Sequence, residues 1–402
     1  MNNFDFHNPT RIVFGEGKIT ELDALVPGDA RVMILFGGES ARSTGTLGEV
    51  TAALGERDIH EFSGIEPNPS FETLMRAVTR VRDEKIDFLL AVGGGSVIDG
   101  TKFVAAATLF EGDEWDILLQ GGNNVHKALP FGAVLTLPAT GSEMNQGAVV
   151  TRKSLKTKLP FHSQHVFPKF SILDPTKTFT LPPRQVANGV VDAFVHVMEQ
   201  YLTYPAQAPV QDRFSEGLLQ TLVEIGPQCL AEPENYQVRA SLMWTATLAL
   251  NGLIGSGVPQ DWATHMLGHE LTALHNLDHA QTLAIVLPSM LRERKAAKQD
   301  KLVQYAERVW NITEGSAEQK ADAAIDRTQA FFETMGVKTS VFLIRYRFCR
   351  APRTTRNLSP NRERGTCAHR GTDTTVPWQT RRTESGRRGL PRPGCARRCA
   401  TR

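Results

Sequence analysis

Between residues 1 and 182, short unbroken apolar runs alternate with stretches whose apolar residues recur every three or four positions. Arg31-Val-Met-Ile-Leu-Phe36 runs into Gly37-Gly38, Ile86 to Val92 runs into Gly93-Gly94-Gly95, and Phe131 to Leu137 closes on Pro138. Apolar runs of this length, stopped by Gly or Pro, are what a parallel strand buried on both faces needs. Helical spacing fills the gaps: 43–55, then 70–84 with Leu74, Ala77, Val78 and Val81, then the alanine-rich 97–110. Ser70, just after Pro67 and Pro69, is the expected N-cap of the second of these. Strand and helix in alternation predict a parallel sheet with helices on its faces. From 183 onward the strand-like runs disappear. Helical patterns follow at 185–203, 208–230, 234–255, 262–274, 280–298 and 300–313, with Pro227, Pro233, Pro259 and Pro288 near the expected boundaries. The chain therefore reads as an α/β domain over 1–182 and an all-α domain over 183–337, with a cleft between them as the natural active site.

Composition changes this picture at one end only. The 402 residues, 41% of them hydrophobic, describe a soluble globular chain, and no run approaches a membrane span. The start, MNNFDFHNPTR, lacks the basic head and apolar core of a secretory signal, and Cys229 is the only cysteine before residue 345. A reducing, cytoplasmic home is expected. The formal net charge of +2 conceals a split: residues 345–402 hold 16 Arg, no Lys and 3 acidic residues. The same stretch carries Cys349, Cys367, Cys395 and Cys399, without paired zinc-ligand spacing, and shows neither the 3.6 nor the 2 period. An Arg-only basic stretch that departs this far from the body reads as a frame change that replaced the native C-terminus. It is not read as a nucleic-acid-binding arm. Residues 338–402 are expected to be unpacked, because mutually repelling Arg side chains and few apolar ones cannot offset ordering entropy.

The candidate chemistry lies in three places. Gly93-Gly94-Gly95-Ser96-Val97-Ile98-Asp99 follows a strand and opens a helix, so its backbone can approach a pyrophosphate closely and its N–H groups favour the negative charge. It is not GxGxxG, since Ile98 stands where the last glycine would fall. A second polar loop, Thr136-Leu-Pro-Ala-Thr140-Gly-Ser142-Glu143, follows another strand end, where open α/β sheets bind nucleotides. The third place is the stretch from Asp261 to His279, with His265 and His269 four apart on one helical face and His279 beyond a helix end at Asn276. Asp192 and His196, also four apart, lie upstream. One carboxylate and several imidazoles on two segments make an oxygen-and-nitrogen set suited to Zn²⁺ or Fe²⁺. Trp262, within the same stretch, reads as an ordinary core residue, with lining of the substrate pocket as the alternative.

Gly-Gly-Gly-Ser-x-x-Asp at 93–99, Leu-Pro-Ala-Thr-Gly-Ser-Glu at 137–143, Asp192-xxx-His196 and His265-xxx-His269…His279 together resemble the iron-containing (group III) alcohol dehydrogenases. Within that family the resemblance is to the NADPH-dependent aldehyde reductase and butanol dehydrogenase branch, and it runs from residue 1 to about 337. It implies a dehydroquinate-synthase-like fold: an α/β N-terminal nucleotide-binding domain plus an all-α C-terminal metal domain. It also implies a homodimer that reduces small aldehydes to primary alcohols, reversibly, with NADP(H) and one divalent metal, Fe²⁺ or Zn²⁺. By the family pattern Asp192, His196, His265 and His279 hold the metal, and His269 lies near the nicotinamide and assists proton movement. Gly94, Gly95, Ser96 and Asp99 belong to the pyrophosphate loop, Thr136, Thr140 and Ser142 lie along the nucleotide, and Lys158 approaches the nicotinamide ribose.

Two departures qualify the resemblance. Gly37-Gly38-Glu39-Ser40 stands where the NADP-preferring branch usually has three glycines and a serine. A small residue at 37 leaves room for a 2′-phosphate, and Glu39 is expected to set a negative charge close to it, with Arg42 as an offset. NADPH remains the expected cofactor, with NAD the alternative. The second departure is the C-terminal stretch, where the family continues with further helices on the second domain. Its loss is expected to leave an apolar patch on the 262–333 surface.

Overall fold

A computed structural model of the chain describes residues 1–340. Eight strands are present among them: β1 (Arg11–Phe14), β2 (Arg31–Phe36), β3 (Asp58–Phe62), β4 (Phe88–Gly94), β5 (Phe131–Leu137), β6 (Gly147–Arg152), β7 (Thr157–His162) and β8 (Phe170–Leu173). In the same half lie the helices α1 (Leu22–Leu25), α2 (Ser40–Ser43), α3 (Thr46–Leu54), α4 (Phe71–Asp83), α5 (Gly95–Thr108) and α6 (Asp116–Leu119). The second half is helical: α7 (Pro183–Tyr201), α8 (Pro209–Ala231), α9 (Tyr236–Ala249), α10 (Ala263–His275), α11 (His279–Glu293), α12 (Lys295–Val309) and α13 (Ala317–Thr334). The change from mixed to purely helical structure falls at Pro183, and both halves belong to one compact unit.

Six strands form a parallel sheet in the order β1-β8-β5-β4-β2-β3. The continuous apolar runs have a simple use there. Met33, Leu35, Leu89 and Ala91 face one core, while Val32, Ile34, Phe36, Leu90 and Val92 face the other. A strand that is buried on both sides cannot alternate polar residues. Because β5, β4 and β2 are neighbours, the loops leaving their carboxyl ends (37–40, 93–96 and 138–142) gather along one rim of the sheet. Ser70 caps α4 as expected, its Oγ accepting the Thr73 N–H at 3.3 Å.

Some elements depart from the sequence expectation. The short edge strands β1 and β3, the strand β8 and the antiparallel ribbon β6–β7 carry no long apolar run and were not anticipated. Pro227 and Pro288 lie inside α8 and α11 rather than at boundaries. Each removes a helical hydrogen bond, but Ile225, Cys229, Leu287 and Leu291 anchor the flanking turns in the helical core. The pattern at 234–255 ends as a helix at Ala249, where a loop takes over that needs left-handed glycines at Gly252 and Gly257. Of the stretch expected to be unpacked from 338, Lys338 to Ser340 are described. The Lys338 carbonyl accepts a hydrogen bond from Gln281 Nε2, and Thr339 Oγ1 donates to Glu333 Oε1 at 2.6 Å. The remainder of that expectation, with the Arg run and its four cysteines, lies outside the described residues.

Candidate metal and nucleotide site

A cleft of about 1360 Å³ runs from the glycine-rich rim of the sheet to the buried ends of α7, α10 and α11. At the sheet end it is lined by Gly37, Gly38, Ser40, Gly94, Gly95, Ser96, Asp99, Thr136, Thr140 and Ser142, and at the helical end by Asp192, His196, His265, His269 and His279. Glycine is required at the rim by close approach. A Cβ on Gly94 would sit 2.9 Å from Leu137 Cβ, and one on Gly95 would strike the side chain of Thr140, 2.9 Å from its Cβ. The absence of side chains thus lets the start of α5 press against the β5 loop while its N–H groups face the cleft.

Glu39 is the exception among the expected cofactor residues. It does not line the cleft; its side chain is 85% exposed, with Arg42 Nε 3.9 Å away. Arg42 is committed elsewhere, its Nη2 donating to Glu61 Oε2 at 2.6 Å and its guanidinium lying over Phe36. α2 starts at Ser40, so Glu39 sits on the turn before it and points to solvent. Asp99 does line the cleft, but both its oxygens are used by the protein itself. Oδ1 accepts the Ser142 hydroxyl at 2.7 Å and Oδ2 the Val149 N–H at 2.9 Å, which ties the second loop and β6 to α5. Ser142 Oγ lies 2.7 Å from Thr140 Oγ1, completing a rigid polar loop.

Lys158, on β7, stands between the two ends. It is buried, and its ammonium donates to Asn68 Oδ1 at 2.8 Å. Burial pushes its pKa down to about 8 against the pull of Asp192 and Asp99. The ribbon β6–β7, which the sequence did not reveal, is therefore what delivers this cation.

At the helical end, Asp192, His265 and His279 present ligand atoms within 4.8 Å of one another. Asp192 Oδ1 is the hub: His196 Nδ1 lies 3.7 Å away, His265 Nε2 3.8 Å and His279 Nε2 3.7 Å. Donors about 2.0–2.2 Å from one tetrahedral ion stand roughly 3.3–3.6 Å apart, so these spacings suit a divalent cation. The buried atoms Asp192 Oδ1, His196 Nδ1 and His265 Nε2 have no hydrogen-bond partner. Such orphaned donors and acceptors are costly without a ligand to satisfy them. The residues present fit a metal ion. His196 is the least engaged of the four: it is outside the compact triple and stacks on His265 with ring centroids 4.6 Å apart.

The charges follow from burial. It drives His196 down to about 4 despite the attraction of Asp192, and it lowers His279, so these imidazoles are neutral with lone pairs free. His265 behaves oppositely. Burial works against its charge, but Glu199 and Asp192 overcome it and raise the pKa to about 9. The carboxylates that favour a positive charge on His265 also favour a cation at its Nε2, the nitrogen that faces Asp192. His269 is not part of the hub; burial and the Lys158 charge hold it at about 2, and its Nδ1 is unpartnered. Trp262 lines the cleft instead of sitting in the core, its ring 5.3 Å from that of His265. Glu199 was missed altogether. It falls three residues after His196 and seven after Asp192, so the i, i+4, i+7 spacing carried its signal.

Residues 9–175 match the family described as iron-containing alcohol dehydrogenase, and residues 186–342 match the C-terminal part of the same family. The NADPH-dependent aldehyde reductase YqhD of Escherichia coli (strain K12) is 63% identical over 341 residues, 84% of this chain and 88% of that protein. The probable NADH-dependent butanol dehydrogenase 1 of Bacillus subtilis (strain 168) is 42% identical, with 84% and 88% covered. The crystal structure of E. coli K-12 YqhD superposes with a TM-score of 0.85 at 62% identity, covering 85% of this chain and 88% of that one.

Proposed function

The chain belongs to the iron-containing alcohol dehydrogenase family, and from that premise we propose that it is a metal- and NADPH-dependent reductase of short-chain aldehydes, butanal and 3-hydroxypropanal among them. The products are primary alcohols, and the reaction is reversible. The observation that carries this reading is one cleft with a glycine-lined nucleotide rim at one end and an unsatisfied Asp–His cluster at the other.

When bound, a divalent ion supplies Lewis acidity toward the carbonyl oxygen, and reduced nicotinamide supplies the hydride. Asp192, His196, His265 and His279 hold the ion. Gly94, Gly95 and Ser96 hold the pyrophosphate on the N-terminus of α5, with Thr136, Thr140 and Ser142 along the nucleotide. Lys158 gives a positive, hydrogen-bonding tip beside the ribose. His269 stays neutral, so it passes a proton toward the alcohol oxygen from one ring nitrogen as the other nitrogen takes one from solvent, and the ring stores no charge. Trp262 sets its ring beside the imidazoles of His196 and His265, with centroids 6.2 and 5.3 Å away. Gly37 lines the cleft and places no side chain there, which suits a 2′-phosphate; a Cβ would already crowd Ile65 O at 3.2 Å. NADPH is accordingly preferred, as the name of the 63% identical relative also suggests. NADH, named for the 42% identical relative, is the second reading. A cytoplasmic homodimer is part of the same proposal.

The test is metal analysis of the purified chain, combined with aldehyde reduction followed separately with NADPH and NADH. The expected result is one divalent ion per chain, faster turnover with NADPH, and loss of activity on chelation. A chain that retains no metal and oxidises neither cofactor refutes the reading.

A further inference from the structure

Glu199 sits where α7 meets the first turn of α10, on the same face as Asp192 and His196. It is only 4% exposed. Its Oε1 accepts the N–H of Thr264 at 2.7 Å and of His265 at 3.2 Å. These donors have no intrahelical partner, and the positive end of the α10 dipole meets the carboxylate there. Its Oε2 is hydrogen-bonded to His265 Nδ1, and its main-chain carbonyl accepts the Asp261 N–H at 2.9 Å. A single residue therefore grips the backbone before α10, the first turn of α10 and the ring of His265.

The consequence for the ring is chemical. With the Nδ1 proton committed to Glu199, the lone pair of the neutral imidazole is on Nε2, the buried atom that faces Asp192 Oδ1 and lacks a partner. We propose that Glu199 is the positioning residue of the metal site, fixing His265 as the Nδ1–H tautomer and docking α10 on α7 so that Nε2 is delivered to the Asp192–His279 pair. This deepens the metal reading above and rests on it. A carboxylate behind a ligating imidazole orients the ring and strengthens it as a donor.

The test compares full-length wild type, Glu199→Gln and Glu199→Ala, each loaded with Co²⁺ or Zn²⁺ and challenged with a chelator. The Tm of the metal-free protein is measured in parallel. Glutamine keeps an amide oxygen for the two backbone N–H groups but then turns its NH₂ toward Nδ1. That favours the tautomer with the proton on Nε2, which cannot ligate. Glu199→Gln is therefore expected to lose metal affinity by about 10–100-fold, with an altered Co²⁺ absorption spectrum and a metal-free Tm below wild type but above that of Glu199→Ala, because the amide keeps the backbone contacts and loses only the charge. Glu199→Ala is expected to lose both affinity and Tm. A Glu199→Gln protein that resists the chelator like wild type overturns this proposal and leaves the metal reading standing. A wild-type chain that takes up no metal overturns both.

Discussion

Replacing Lys158 with Met separates the stability of this cleft from its function. Burial holds the folded-state pKa at about 8, against an ordinary value of 10.5. A lowered lysine pKa means that the folded state binds its proton less tightly than the unfolded chain does. Below pH 8 both states are protonated, and the folded state carries the full penalty of a buried ammonium. Between pH 8 and 10.5 the folded state releases the proton first, and the penalty disappears. At roughly 1.4 kcal/mol per pKa unit, the penalty at neutral pH is about 3 kcal/mol. Methionine fills similar space without the charge but leaves Asn68 Oδ1 without its donor, worth about 1 kcal/mol. Lys158→Met should therefore be more stable by about 2 kcal/mol at pH 7, a Tm rise of a few degrees, measured without cofactor. That advantage should shrink as the pH rises from 8 to 10.5. The same variant should bind NADPH about 10–100-fold more weakly, because a charge-assisted hydrogen bond to the nucleotide is lost. A variant with an unchanged or lower Tm at pH 7, or an advantage independent of pH, would refute the reasoning.

His265→Ala removes the ligand that faces both Asp192 and Glu199, and metal content measured after desalting should fall to near zero. Normal retention in that variant would remove His265 from the ligand set. Gly95→Ala drives a methyl group into Thr140, so Tm should drop in line with about 1–3 kcal/mol of overpacking. The KM for NADPH should rise more than kcat falls, and an unchanged KM would mean that the rim does not touch the nucleotide. Glu39→Gly should leave the ratio of NADPH to NADH efficiencies within about twofold, because an exposed charge beside solvent contributes little. A fivefold or larger gain for NADPH would place Glu39 against the 2′-phosphate after all.

The apolar runs at 31–36, 86–92 and 131–137 could be read from the chain because the middle of a doubly buried strand is apolar on both faces, and the glycines after the first two because glycine permits the close approach at the rim. The four-residue spacings of Asp192–His196 and His265–His269 were equally local, since a helix alone puts such pairs on one face. Local rules end there. The ribbon that carries Lys158 mixes polar residues and a proline with its apolar ones and does not declare itself, and its place in the cleft depends on Asp99 reaching the Val149 N–H across fifty residues. Glu39 looked like a cofactor contact because it sits in a motif position, yet the turn into α2 points it outward. Pro227 and Pro288 were expected near helix boundaries, yet both lie inside their helices, where packing on both sides outweighs the missing backbone bonds. Glu199 had the right spacing on α7, but its meaning exists only where the first turn of α10 arrives from 65 residues away. Residue type and spacing set which groups can act together along one element. Which elements meet is decided by burial of their apolar faces, and that is a property of the folded chain as a whole.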